Sequence, residues 1–148
     1  MDSTNIRNSA ATAVTQVVTL ELIDAAGAAT PLQTKLSYDP RDPFAMSATF
    51  LTVGGDVRWT FGRDLLVGGL VEPTGDGDVH VWPCTDNDAH PVVIIELCSP
   101  DGEALVQART TDIVAFVEKM TVAVPLGAES ANLDIDGAIN AIFSADAA

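Results

Sequence analysis

Positive charge is what this chain has least of. Seven Lys and Arg stand against 21 Asp and Glu in 148 residues, a formal net charge of -14, and Lys35 and Lys119 are the only lysines. Clustered Lys and Arg hold a phosphate backbone, so this balance works against nucleic-acid binding. It works equally against adhesion to an anionic membrane surface. Long apolar runs are missing too, since none approaches the roughly 20 residues needed to span a bilayer. The opening "MDSTNIRNSAATAVTQ" lacks a basic segment followed by an apolar stretch and does not read as a secretion signal. Cys84 and Cys98 are too few for a disulfide framework, so a cytoplasmic location with reduced thiols is the default.

Apolar material is plentiful, however. Hydrophobic residues make up 47% of the chain and the mean hydropathy is +0.25. A disordered acidic tail would be apolar-poor, so the composition is that of a folded protein. The length fits one core. We expect residues 1–12 to form a flexible N-terminal tail and residues 13–148 a single domain. So much apolar surface in a short chain also hints at burial between subunits.

Alternation predicts strands over residues 13–23 and 32–39, with the turn "DAAGAATP" between them. The corner "YDPRDP" follows. Pro40 and Pro43 fix their own φ and push Asp39 and Asp42 toward extended geometry, so this segment is neither helical nor a central strand. "AMSATFLTV" and "DVRWTFG" flank Gly54-Gly55, a hairpin signal. "RDLLVGGL" reads as one or two helical turns ending at the glycines, each costing about 1 kcal/mol of helix propensity. Strands over 77–83, 90–99 and 103–110 follow, the last two joined by the turn "SPDG". The period then lengthens. Ile113, Val114, Phe116, Val117 and Met120 make one helical face over 110–120, with Thr110 or Thr111 as cap, Asp112 in the first turn and Lys119 in the last. A second helix is expected over 133–143, capped by Asp134. Six or seven antiparallel strands before two helices define an α+β protein.

Reactive constellations are sparse. His80 and Cys84 have zinc-like spacing, but His90 and Cys98 supply no second pair, so His80 reads as a strand residue and Cys98 as a small buried one. The acids Asp76, Asp78, Asp86 and Asp88 lack the pattern of a calcium loop. No metal site and no cofactor are expected. No nucleophile elbow exists, Ser99 sits in a turn, and no triad is suggested, so the chain does not read as an enzyme. Trp59, Phe61 and Trp82 could stack on single-stranded bases, but core aromatics explain them better. Arg63 and Asp64 read as structural. The proline corner reads as architecture, leaving Arg41 to pair with Asp39 or Asp42 or to face a partner.

The segments "LSYDPRDPFA", "VRWTFGRDLLVGGL", "PTGDGDVHVWP", "SPDGEA", "FVEKMTVAVPLGAE" and "LDIDGAI" occur in this order from Leu36 to Phe143. Together they closely resemble the SsgA-like proteins, sporulation and cell-division regulators of actinomycetes. Phe44 stands where that family often has Tyr, Gly62 where Ala is usual, and Gly68 where an acidic residue is common. The resemblance implies a bent antiparallel sheet or half-barrel of six to seven strands with two to three helices, Whirly-like and assembled as a trimer. It implies a non-enzymatic adaptor at the division septum that recruits or positions the FtsZ division GTPase, a paralogue, or wall-remodelling proteins. A single-stranded nucleic-acid binder is the alternative on a Whirly-like fold. The expected partner-binding residues lie on rigidly held loops: Arg41 and Asp42 in the corner, and Pro125, Gly127 and Glu129 between the helices. Gly127 either needs a backbone conformation that other residues resist or ends a turn. Gly127→Glu is expected to disturb the partner contact while leaving the melting temperature nearly unchanged.

Overall fold

The computed structural model describes residues 12–75 and 77–132. The helix expected over 133–143, with its Asp134 cap, lies outside them. Seven strands form one antiparallel sheet: β1 (Val14–Ile23), β2 (Ala29–Tyr38), β3 (Ala45–Thr52), β4 (Gly55–Gly62), β5 (Val79–Thr85), β6 (Pro91–Ser99) and β7 (Gly102–Arg109). Helix α1 (Arg63–Gly69) joins β4 to β5, and α2 (Thr110–Ala123) follows β7, ahead of a 3-10 turn over Glu129–Asn132. The spatial order is β4-β3-β2-β1-β7-β6-β5. The chain thus builds two antiparallel meanders, and β1 meets β7 where Glu21, Leu22 and Ile23 face Gln107, Val106 and Leu105.

The turns follow side-chain chemistry. Asp24 Oδ1 accepts from the N–H groups of Ala26 and Ala28 and closes β1 onto β2. Asp86 Oδ1 does the same for Asp88 and His90 between β5 and β6. Such aspartates replace strand partners locally, which is why they punctuate the alternation. The hairpin forms where it was expected but one residue earlier: Thr52 pairs with Gly55, so Val53-Gly54 is the two-residue loop and Gly55, at φ +121°, opens β4.

Alternation sorts the two faces. Val18, Leu20, Leu36, Tyr38, Met46, Phe50, Phe61, Val81, Val93, Ile95 and Val106 build the inner core, with Leu66 from α1 and Ile113, Phe116 and Met120 from α2. Leu22, Leu32, Phe50, Val57 and Trp59 line one apolar groove with Leu97, Ala104 and Val106. Strands β4 and β6 are well separated in the sheet order, so their meeting across this groove shows the curl into a half-barrel. Strand β6 is buried on both faces, and outward Ile94 lies opposite Trp82. Trp82 therefore sits on the outer face of one edge strand, while Trp59 and Phe61 face inward on the other. The three aromatics form no common stacking surface.

Helix α2 departs from its expected ends. It runs three residues past Met120 and starts at an extended Arg109 with no side-chain cap, because β7 feeds directly into it. Its last turn holds no basic residue, so Lys119 does not serve the dipole. Helix α1 ends at the glycines as expected, and packing accounts for Gly69. A Cβ there would fall 2.6 Å from Val81 Cβ and closer still to its Cγ1. A rotamer change moves Cγ1 but not Cβ. Gly69→Ala therefore gains about 1 kcal/mol of helix propensity and loses more to overpacking, about 1–3 kcal/mol. Urea unfolding is expected to show net destabilisation.

Candidate partner-binding surface

Arg63 organises the surface at the α2 end of the half-barrel. Its side chain is 1% exposed. Nη1 donates to Val124 O at 2.8 Å and reaches Met120 O at 3.5 Å. Nη2 donates to Pro125 O at 3.3 Å and to Glu129 Oε2 at 2.9 Å. The carbonyls left open where a helix ends need donors and favour a cation. Arg63 supplies both from a residue 61 positions before Val124. Its guanidinium lies over the Tyr38 ring, 5.3 Å from the centroid. Its own N–H donates to Phe44 O at 2.8 Å.

The corner is fastened to the same point. Tyr38 donates its hydroxyl to Pro43 O at 2.8 Å, and burial pushes that hydroxyl's pKa up. Asp39 receives Arg41 Nε at 3.2 Å, Nη2 at 3.0 Å and the Arg41 N–H at 2.9 Å. The Arg41 side-chain hydrogen bonds, followed by that backbone bond, hold the Asp39 carboxyl below its ordinary value. Arg41 thus pairs with Asp39, and both Arg41 and Asp42 are exposed. Phe44, next to them, is 46% exposed.

The loop after α2 divides its residues between two tasks. Pro125 and Gly127 face solvent, and Leu126 between them is 54% exposed. Glu129 turns inward to Arg63, so its carboxylate anchors the loop from beneath and is withheld from the surface where it was expected. Sequence spacing had no means of pairing it with a residue 66 positions earlier. Gly127 has φ +88° with open space around an added Cβ. A side chain there meets no clash but a left-handed backbone, a strain of about 1–2 kcal/mol. Gly127→Glu is therefore expected to lower the melting temperature, where the sequence alone suggested no change, and exposed Leu126 is the cleaner probe.

Ligand-type side chains gather at two other places among the described residues: His80 with Glu96 and Cys98, and Asp86 with Asp88 and His90. Cys84, which chain spacing paired with His80, is exposed and stands opposite Val92 in the sheet. Ser99 lies at the β6–β7 turn, where its hydroxyl meets Gly102 O and the Asp101 N–H. No helix among the described residues is long and apolar enough to cross a membrane.

Fold and site together define a small α+β domain that holds surface segments rigid on a buried arginine. The family model described as "Streptomyces sporulation and cell division protein, SsgA" matches residues 32–129. The sporulation-specific cell division protein SsgB of Frankia casuarinae is 41% identical over 125 residues, 83% of this chain and 86% of that protein. SsgB of Streptomyces coelicolor is 40% identical over 126 residues, 84% and 91% of the two chains. A solved structure titled for SsgB mutations that correlate with longitudinal cell division during sporulation of Streptomyces coelicolor superposes with TM-score 0.78 at 41% identity. It covers 82% of this chain and 96% of its own. The SsgA-like sporulation-specific cell division protein of Thermobifida fusca gives TM-score 0.79 at 37% identity, covering 88% and 96%. The chain belongs to the SsgA family of sporulation and cell-division proteins. The names of the family and of these relatives describe a role in sporulation-specific division and no reaction.

Removing the hub's cation takes the ion-pair partner from the buried Glu129 carboxylate and the side-chain donor from Val124 O. Arg63→Met is expected to cost about 3–5 kcal/mol in urea unfolding at neutral pH. The Arg63 hydrogen bond, then backbone N–H donors, hold the Glu129 carboxyl below its ordinary 4.5. A depressed folded value means that its contribution is complete above pH 4.5 and is lost as pH falls through the lower folded value. Glu129→Gln should therefore be less stable than wild type near pH 7, with the gap narrowing below pH 4.5 in pH-dependent unfolding curves.

Proposed function

We propose that this chain is a non-enzymatic adaptor that positions division or wall-remodelling machinery at sporulation septa, with an FtsZ-type division GTPase or an SsgA-like paralogue as its direct partner. The observation that carries this reading is the Pro125–Gly127 loop, exposed at its tip and locked at its base by Arg63. A loop already held in one shape loses little entropy on docking, so a small apolar tip can still bind. Exposed Phe44 and the Arg41–Asp42 corner extend the contact from a segment fixed to the same arginine. Family membership supports the division role. A trimer would present three such surfaces, and several weak contacts on one assembly give avidity. Nucleic acid is not the expected ligand, since net charge -14 repels phosphate.

Leu126→Arg tests the reading because it changes the half-exposed tip of the loop and none of the groups bonded to Arg63. Wild-type protein is expected to capture the purified FtsZ-type GTPase of the same cell or the paralogue, and Leu126→Arg to weaken capture about tenfold or more. The melting temperature should not change. Capture of neither protein by wild type overturns the proposal, and undiminished capture by Leu126→Arg removes the loop from it. Size-exclusion chromatography with light scattering is expected to report three chains.

A further inference from the structure

The register of β5 against β6 assembles a group of side chains that spacing along the chain conceals. His80 stands directly opposite Glu96. Cys98 lies two residues further along β6, and in a strand that period keeps it on the face of Glu96. This is the outer face, since Val79, Val81, Val93, Ile95 and Leu97 point into the core. The three side chains are half-buried, and their ligand-type atoms all lie within 4.8 Å of one another. His80 Nδ1 comes 3.3 Å from Glu96 Oε1. That nitrogen is nonetheless a buried atom with no hydrogen-bond partner. A buried ring nitrogen left unsatisfied is uncommon, because its desolvation is otherwise uncompensated.

We propose that His80, Glu96 and Cys98 bind a zinc-class divalent cation, with the fourth coordination position open to solvent. One imidazole nitrogen, one carboxylate and one thiolate are the donor types that zinc takes. Tetrahedral ligands at about 2.0–2.3 Å from the ion stand about 3.3–3.6 Å apart. The His80–Glu96 separation of 3.3 Å already fits one edge of that tetrahedron, and the limit of 4.8 Å leaves the other edges within small rotamer adjustments. A lone pair on Nδ1 directed at the ion would resolve the unsatisfied nitrogen.

The electrostatics favour a cation here. The acidic groups of Glu96, Glu103 and Asp78 all act on Cys98. Glu103 faces Cys98 from β7. A divalent ion would offset these acids and release the thiol proton on binding. Mechanically the ion would tie β5 to β6 on the face away from the core. Strand β5 is an edge of the sheet, and Pro83 removes one of its backbone donors. The Asp86, Asp88 and His90 group carries no such proposal. It is solvent-facing, and Asp86 already accepts the N–H groups that close its turn.

Cobalt(II) reports thiolate ligation by a near-ultraviolet charge-transfer band and tetrahedral geometry by visible bands. The untagged full chain, fully reduced, is expected to take up one equivalent of cobalt with both signals, and zinc to displace it. Zinc should also raise the melting temperature. Cys98→Ser is expected to abolish the charge-transfer band and His80→Ala to weaken binding about tenfold or more. Cys84→Ser should leave the signals intact, with circular dichroism checking the fold of each variant. A wild-type titration without the charge-transfer band overturns the proposal by itself. So does a band that survives Cys98→Ser or disappears with Cys84→Ser.

Discussion

One buried guanidinium holds this surface in place. Taking a cation out of water costs several kcal/mol, and only a well-made set of partners offsets it. Arg63 has a carboxylate, three backbone carbonyls and a tyrosine ring. Those partners belong to β2, the end of α2, the loop beyond it and the 3-10 turn, while its own N–H reaches the corner. A planar fork with donors pointing two ways can serve a helix end and a carboxylate together, which a lysine ammonium cannot do in the same geometry. The arrangement also explains why α2 ends without a basic residue in its last turn: the cation arrives from α1.

The two faces of the sheet then divide the labour. The inner face is apolar and closes over α1 and α2, so curling is the way it buries Phe61, Leu36 and Val93 together. Apart from an apolar patch of Trp82, Val92 and Ile94, the outer face carries polar cross-strand pairs: Ser47 with Thr60, Thr19 with Gln33, His80 with Glu96. Side chains there are placed by register alone, because a slip of one residue would send each to the core. The register is in turn set by tight turns whose aspartates and glycines leave little freedom.

How much of this could be read along the chain follows from the range of each interaction. Strand alternation, the hairpin near Gly54, the short helix of Arg63–Gly69 and the face of Ile113, Phe116 and Met120 are local patterns that the structure contains, although the hairpin loop is Val53-Gly54 and Val114, expected on that face, is exposed. The structural role of Arg63 was legible as a class, since an Arg-Asp pair at a strand-to-helix junction suggests a cap or ion pair. Its partners were not, because Glu129 is 66 residues away and nothing local distinguishes it from a surface acid. His80 shows the same limit. Along the chain its nearest soft ligand is Cys84, yet the β5–β6 pairing turns attention to Glu96 and Cys98. Helix dipole rules named Lys119 for the same reason: they see residues in sequence and not those that a fold brings to the helix end.

The loop's dependence on Arg63 bears on how the proposed adaptor could bind with so small a surface. Its exposed apolar tip is small, one leucine flanked by a proline and a glycine. In a floppy loop such a tip would lose on ordering what it gained on contact, since fixing each residue costs about 1–2 kcal/mol. Here the ordering is complete before any partner arrives, because the carbonyls of Val124 and Pro125 and the carboxylate of Glu129 are already engaged. The stability of the fold and the affinity of the proposed contact therefore draw on one ion pair. Weakening the pair would release the loop's anchors directly, whereas the sheet keeps its own strand ladders, so recognition would fail ahead of the fold.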